Sequence, residues 1–351
     1  MPDGLDRIGA LLDAAVAGGC LPGAVAMAGR GPATLGRWVA GQADAIQGRP
    51  MRADTVFDLA SLTKVAATTA VTLALAGRGE LGLGDPVAGY LPDFDACRDG
   101  RVTIAHLLTH TAGLPDSRKF YRWCRSRAEL LRDLYQTPLE APPGSRVVYS
   151  DLGFITLGEV VAVVAGEPLA AAVRHLVTGP LGMTATGFRP NGPGDRFAAT
   201  ERREDGTAWT GTVHDENARL MGGVAGHAGL FAPAADLARF AAWWVSDDDA
   251  VIPAALRRTA TTCQTAGTGG GRRGYGWVCP GDGFDILGGH WPPTAVSHTG
   301  FTGTSVALDP ATGWWVILLT NAVHSGRDHT VVQALRRAVH AAVAVTGTRP
   351  P

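Results

Sequence analysis

The 351-residue sequence predicts an α/β (α+β) fold in which one sheet gathers both ends of the chain and a helical segment is inserted between them. Two observations carry this reading. Strand-like runs bounded by glycine and proline lie near the start and near the end, whereas the middle repeats apolar residues at helical spacing. Glycine breaks at Gly77 and Gly79, and the stretch "AGTGGGRRG", separate the regions. They divide the chain into a discontinuous α/β sheet domain, residues 1–79 with 267–351, and a mostly helical domain, residues 80–266.

The elements follow in order. "MPDGLDRIGALLDAAVAGG" puts Leu5, Ile8, Leu11, Leu12 and Ala15 at helical spacing beside the acids Asp3, Asp6 and Asp13, an amphipathic surface helix. "PGAVAMAG" and "TLGRWVAG" read as strands joined by a turn at Gly31-Pro32. A helix is expected from about Ser61 to Ala76; "VAATTAVTLALA" is apolar on all sides, so this helix is buried. Helical patterns then recur in "TIAHLLTHTAG", "RAELLRDLYQ", "GFITLGEVVAVVAG", "LAAAVRHLV" and "PAADLARFAAWWV". Beyond the glycine-rich linker, "YGWVC", "AVSHTG", "GTSVALDP" and "WWVILLTN" read as strands, and "HTVVQALRRAVHAAVAV" as a last helix.

Composition narrows the function. The formal charge is −1 and the arginines are scattered among acids, which excludes a basic stripe and a nucleic-acid partner. The N-terminus has no basic n-region, and no uninterrupted apolar run reaches the ~18 residues of a membrane span. No membrane association is expected, and the expected location is cytoplasmic. Cys20, Cys97, Cys124, Cys263 and Cys279 are odd in number and lack a C-x-x-C pair, so free thiols of a reducing compartment are expected. His214, Asp215 and His227 lack the i, i+4 spacing of a helical zinc site; no metal and no cofactor is expected. His106 and His110 read as packed or hydrogen-bonded helix-end residues.

The sharpest feature is "SLTK". Only two lysines, Lys64 and Lys119, stand among 31 basic residues, and one of them follows Ser61 by three positions. A serine hydroxyl attacks poorly until a base takes its proton, and lysine can become that base where arginine cannot. Positions i and i+3 share a helix face, so the two side chains can touch. Nine serines and two lysines give roughly 0.05 chance occurrences of S-x-x-K in this chain, so the motif is informative. If Ser61 opens the helix, its N–H is an unpaired donor available to an oxyanion.

S-x-x-K resembles the first motif of the serine β-lactamases and penicillin-binding proteins. "VVYSDLGF" resembles the Tyr-x-Asn element of class C enzymes and DD-peptidases, here Tyr149-Ser150-Asp151. "SHTGFTGTS" resembles their Lys-Thr-Gly element, here His298-Thr299-Gly300. "LGDPVAGYLPDF", "VTIAHLLTHTAGL" and "GGVAGHAGLFAPAADLARF" extend the likeness from about Leu5 to Val345. The resemblance implies a β-lactamase/transpeptidase-like fold, an antiparallel sheet flanked by helices from both chain ends, with the active site at the interface of the two domains. It implies Ser61 as the acylated nucleophile, Lys64 and Tyr149 sharing the base role, and an oxyanion hole from the N–H groups of Ser61 and Phe301. Asp151, His298, Thr299, Gly300 and His214 are implied to meet substrate.

Two departures bear on the substrate. His298 stands where lysine is usual, so the permanent charge that greets a β-lactam carboxylate is missing there. Asp151 replaces an asparagine that donates to a substrate carbonyl; a carboxylate only accepts, and it repels an anionic acyl group. The expected function is a serine acyl-enzyme hydrolase of small esters or amides, acting on a small-molecule acyl substrate. An acyltransferase with an amine or alcohol acceptor is the alternative, ahead of a DD-peptidase or β-lactamase. The presence of Ser61, Lys64 and Tyr149 argues against a catalytically silent scaffold.

Overall fold

A computed structural model describes residues 4–347, with side chains through residue 344; Asp3 lies outside the described residues. Helix α1 (Asp6–Ala17) buries Ile8 and Leu12 and leads into the antiparallel hairpin of β1 (Gly23–Arg30) and β2 (Ala33–Asp44). β3 (Arg49–Pro50) pairs with β2, and β4 (Val56–Asp58) delivers the chain to the serine. The single helix expected from Ser61 is three successive forms: a 3₁₀ turn Ala60–Leu62, a π-helical stretch Lys64–Thr69, and α2 (Ala70–Gly77). Ala60–Gly77 is long and apolar enough to cross a bilayer, yet 83% of that window is buried inside the protein, as for a core helix.

The middle supplies α3 (Ile104–Leu108), α4 (Arg127–Tyr135), α5 (Asp151–Ala165) and α6 (Leu169–Val173), all from the expected segments. The short strand β5 (Gly187–Phe188) follows, then α7 (Glu216–Leu220), β6 (Leu230–Pro233), α8 (Ala234–Trp244) and α9 (Ala254–Thr261). β7 (Val296–Thr299), β8 (Ser305–Leu308), β9 (Trp314–Thr320) and α10 (Thr330–Gly347) close the chain. The main sheet is antiparallel, in the order β3-β2-β1-β9-β8-β7; β4, β6 and β5 form a second, three-stranded sheet.

Strand β9, WWVILLT, is buried along its whole length because both faces of the sheet are covered. Trp315, Ile317 and Leu319 point into one core with Val25 and Met27, while Trp314, Val316 and Leu318 point into the other with Ala24, Ala26 and Ala28. Helices α1 and α10 cover the second face through Ile8, Leu12, Leu335 and Val339. The first face is covered by α8, whose Leu237, Phe240 and Trp244 join the core of Val25 and Ile317. Thus α8, which the sequence reading placed in the helical domain, packs on the sheet.

Two local expectations are corrected. "YGWVC" forms only isolated bridges from Val278 to Arg273 and Ser297, since a tight turn from Gly274 to Trp277, with Gly276 at φ 76°, interrupts the ladder. The glycine-rich stretch is packed rather than a free linker. Val147 N–H donates to the Gly269 carbonyl at 2.8 Å, and Arg273 is buried against Asp282 at 3.0 Å.

Burial of neutral imidazoles sets a stability profile. His110, His298 and His340 are buried, and burial holds each below the ordinary histidine range, His340 down to about 3. The unfolded chain then binds protons that the folded one refuses, so stability is present above pH 6.5 and falls below it. At pH 5 His340 alone is expected to cost about 2 kcal/mol. Urea midpoints falling steadily from pH 7 to pH 5 are the expected result; a flat profile contradicts it.

Candidate active site

The serine sits on a strained turn. Ala60, just before it, adopts φ 46°, in the left-handed region that a side chain disfavours. The carboxylate of Asp58, at the end of β4, accepts the Ala60 N–H at 2.9 Å and the His214 N–H at 2.6 Å. Thr302 Oγ1 donates to the Asp58 carbonyl at 2.7 Å and Thr304 Oγ1 to the Leu59 carbonyl at 3.0 Å, which ties this turn to the loop after β7. Gly300 is required there, because a Cβ would collide with the Leu59 carbonyl oxygen and Thr304 Oγ1. Gly300 and Gly303 N–H close that loop, which leaves the Phe301 N–H out of its hydrogen bonds.

Lys64 is fully buried, and its Nζ donates to Ser61 Oγ at 3.0 Å, Asp151 Oδ1 at 2.7 Å and the His227 carbonyl at 3.3 Å. Three acceptors match the three N–H bonds of an ammonium and exceed the two of a neutral amine. Burial pushes the Lys64 pKa down, but Asp151 and the Tyr149 phenol push harder, and the net shift is upward. Lys64 is therefore held as a cation, which weighs against the expectation that it gives up its proton beside Ser61. Asp151, expected to meet substrate, gives one carboxylate oxygen to Lys64.

Local structure explains how Asp151 arrives. Ser150 caps α5, its Oγ accepting the Gly153 N–H at 3.1 Å, and His110 Nδ1 accepts the Ser150 N–H at 3.0 Å. The His110 ring packs on Tyr149 at 4.6 Å between centroids, as a helix-end residue at φ 59°. The Lys64 ammonium lies 4.8 Å from the Tyr149 ring centroid, and the Arg273 guanidinium lies 5.4 Å from it.

Ser61, Tyr149, His298, Thr299, Gly300 and Phe301 line one cavity of about 210 Å³. His214 does not; it lies behind Phe301, its ring stacked on the phenyl at 5.5 Å. His298 Nδ1 pairs with the Thr299 carbonyl at 2.9 Å and its Nε2 has no partner among the described residues; burial, then Lys64 and Arg273, hold its pKa well below the ordinary value. This imidazole is neutral. Six wall residues escaped the sequence reading, among them Arg273 and Arg336, both buried. Arg336 Nη2 donates to the Gly300 and Thr304 carbonyls at 2.7 and 2.8 Å, and burial lowers its pKa to about 10. Among the described residues no Asp or Glu lines the cavity, so positive charge is present despite the neutral His298. Among these residues no group of three or more His, Cys, Asp or Glu side chains is arranged to hold a metal.

Comparisons with known proteins agree with this architecture. Residues 8–341 match the Beta-lactamase family profile. Esterase EstB of Burkholderia gladioli is 36% identical, with 95% of each chain covered. A putative D-alanyl-D-alanine carboxypeptidase of Escherichia coli (strain K12) is 33% identical over 79% of this chain and 72% of its own. Among solved structures, EstCE1, described as a hydrolase with promiscuous acyltransferase activity, superposes with a TM-score of 0.79 at 26% identity, covering 97% of this chain and 99% of its own. With a β-lactamase/transpeptidase-like fold and a match over nearly its whole length, the chain is an enzyme of the serine-hydrolase type and belongs to the beta-lactamase family.

Proposed function

We propose that this enzyme hydrolyses small esters or amides through an acyl group carried on Ser61. The observation that carries the reading is the buried Lys64 ammonium bonded to the Oγ of Ser61, which lines one cavity together with Tyr149. Ser61 Oγ attacks the substrate carbonyl while the Tyr149 hydroxyl relays its proton, taking the serine proton as it passes its own to the leaving alcohol or amine; Lys64, already an ammonium, has no vacancy for it. The N–H groups of Ser61 and Phe301 take the oxyanion, and the alcohol or amine departs neutral. Water, activated at the same phenol, then releases the acid and frees Ser61. The likeness to an esterase over 95% of the chain supports esters first.

A second reading is acyl transfer, in which an amine or alcohol takes the place of water; EstCE1 is the relative that favours it. The test is a fluorophosphonate probe followed by intact-mass and peptide mapping, with one adduct on Ser61 expected and none overturning the proposal. p-Nitrophenyl esters are expected to turn over faster than a chromogenic cephalosporin, and amide product from an added amine identifies transfer. Tyr149→Phe is expected to lower kcat by roughly 10²- to 10⁴-fold with an unchanged melting temperature. Steady-state ester kinetics measure it, and near-normal kcat assigns the base elsewhere.

A further inference from the structure

Both turns that carry the oxyanion donors are touched by one residue outside the cavity. On the first, the His214 N–H donates to Asp58 Oδ2 at 2.6 Å, and Asp58 Oδ1 holds the Ala60 N–H at 2.9 Å. Ala60 stands at φ 46° immediately before Ser61, a disfavoured conformation that persists where its surroundings over-determine it. On the second, the His214 imidazole stacks on the Phe301 ring, with 5.5 Å between centroids and 18° between planes. Phe301 is 42% exposed, so its side chain depends on such contacts for a fixed position.

His214 is itself fixed. It is buried, and its Nε2 lies 3.2 Å from Glu201 Oε2. Glu201 is gripped by Arg327 at 2.6 and 2.7 Å, and Arg327 also reaches Glu216 at 2.9 Å. The edge of His329 packs on the Phe301 ring at 4.3 Å. The bond from Thr302 Oγ1 to the Asp58 carbonyl joins the two turns directly.

From this arrangement we infer that His214 is a positioning residue for the oxyanion hole: its N–H fixes the Ser61 turn, its ring fixes the Phe301 turn, and together they hold the two N–H donors at one separation. The inference rests on the acyl-enzyme proposal above. Oxyanion donors act because they are already aimed before charge develops. A loss of aim of about 1 Å can cost up to roughly 10²-fold, and it falls on the transition state rather than on ground-state binding.

The test compares His214→Ala, His214→Phe, Phe301→Ala and Ser61→Ala on one p-nitrophenyl ester. The second readout is affinity for a boronic acid that forms a tetrahedral adduct on the serine. His214→Ala keeps the backbone N–H and removes the ring; kcat is expected to fall by roughly 10- to 100-fold, with KM changed less than about twofold. Boronic-acid affinity should weaken by a similar factor. His214→Phe keeps the stack and should restore kcat to within about threefold. Phe301→Ala removes the same contact from the other side and should match His214→Ala, which keeps the question decidable if His214→Ala does not fold. Wild-type kcat in either alanine variant overturns the inference, as does a loss that His214→Phe leaves in place. Full activity in Ser61→Ala would instead overturn the underlying acyl-enzyme proposal.

Discussion

Ser61→Ala is expected to lose ester turnover by roughly 10⁵- to 10⁶-fold, the scale of removing a nucleophile from a serine hydrolase. The remaining oxyanion donors and cavity would still bind substrate, so a small rate above the uncatalysed one should persist. Stability should change little. The substitution removes one acceptor of the Lys64 ammonium, but Asp151 and the His227 carbonyl remain. Melting within about 1 kcal/mol of wild type is therefore expected alongside the lost rate. A variant still within about 100-fold of wild type would show that another group attacks the carbonyl.

Asp151→Ala should produce the largest loss of stability. It leaves Lys64 in the core with no compensating charge, which typically costs 3–5 kcal/mol, or roughly a third to a half of the stability of an ordinary domain. The pH dependence identifies the cause. In wild type the Lys64 pKa is raised, so its contribution is present below the ordinary lysine value of 10.5 and is lost as pH climbs through the raised one. In the variant only Tyr149 opposes burial and the folded-state pKa falls, so stability is lost at neutral pH and recovered as pH rises past 10.5. Urea unfolding at pH 7.5 and pH 10.5 should show the gap between the proteins narrowing at the higher pH. A gap of constant size would assign the loss to packing. Asp151→Asn keeps an acceptor oxygen without the charge and should fall between the two.

The sequence disclosed these parts unevenly, and the reason is range. Ser61 and Lys64 are three residues apart, so their meeting follows from helical geometry, although the helix there takes a π form. The hairpin of β1 and β2 and the apolar run of β9 are likewise local patterns. What decides the protonation of Lys64 is Asp151, 87 positions away, whose own motif suggested a substrate contact. Arg273 and Arg336 belong to no local pattern, and one of them lies in a glycine-rich stretch that reads as a linker. His214 stood out in the sequence, but its place behind Phe301 depends on a contact between segments 87 residues apart. The packing of α8 on the sheet was hidden for the same reason: amphipathic spacing reveals which face is buried and not what covers it.

The pairing of β1 with β9 also has a consequence for the timing of synthesis. Met27 lies opposite Ile317, so the middle of the main sheet cannot form until residues near 320 have left the ribosome. The Ser61 turn is translated early, yet Phe301 and the Arg336 clamp on its loop come from the last stretch of the chain. A nascent chain would carry its serine for most of its elongation without one arm of the proposed oxyanion hole. On the acyl-enzyme proposal, such a chain is expected to stay inactive until it is nearly finished.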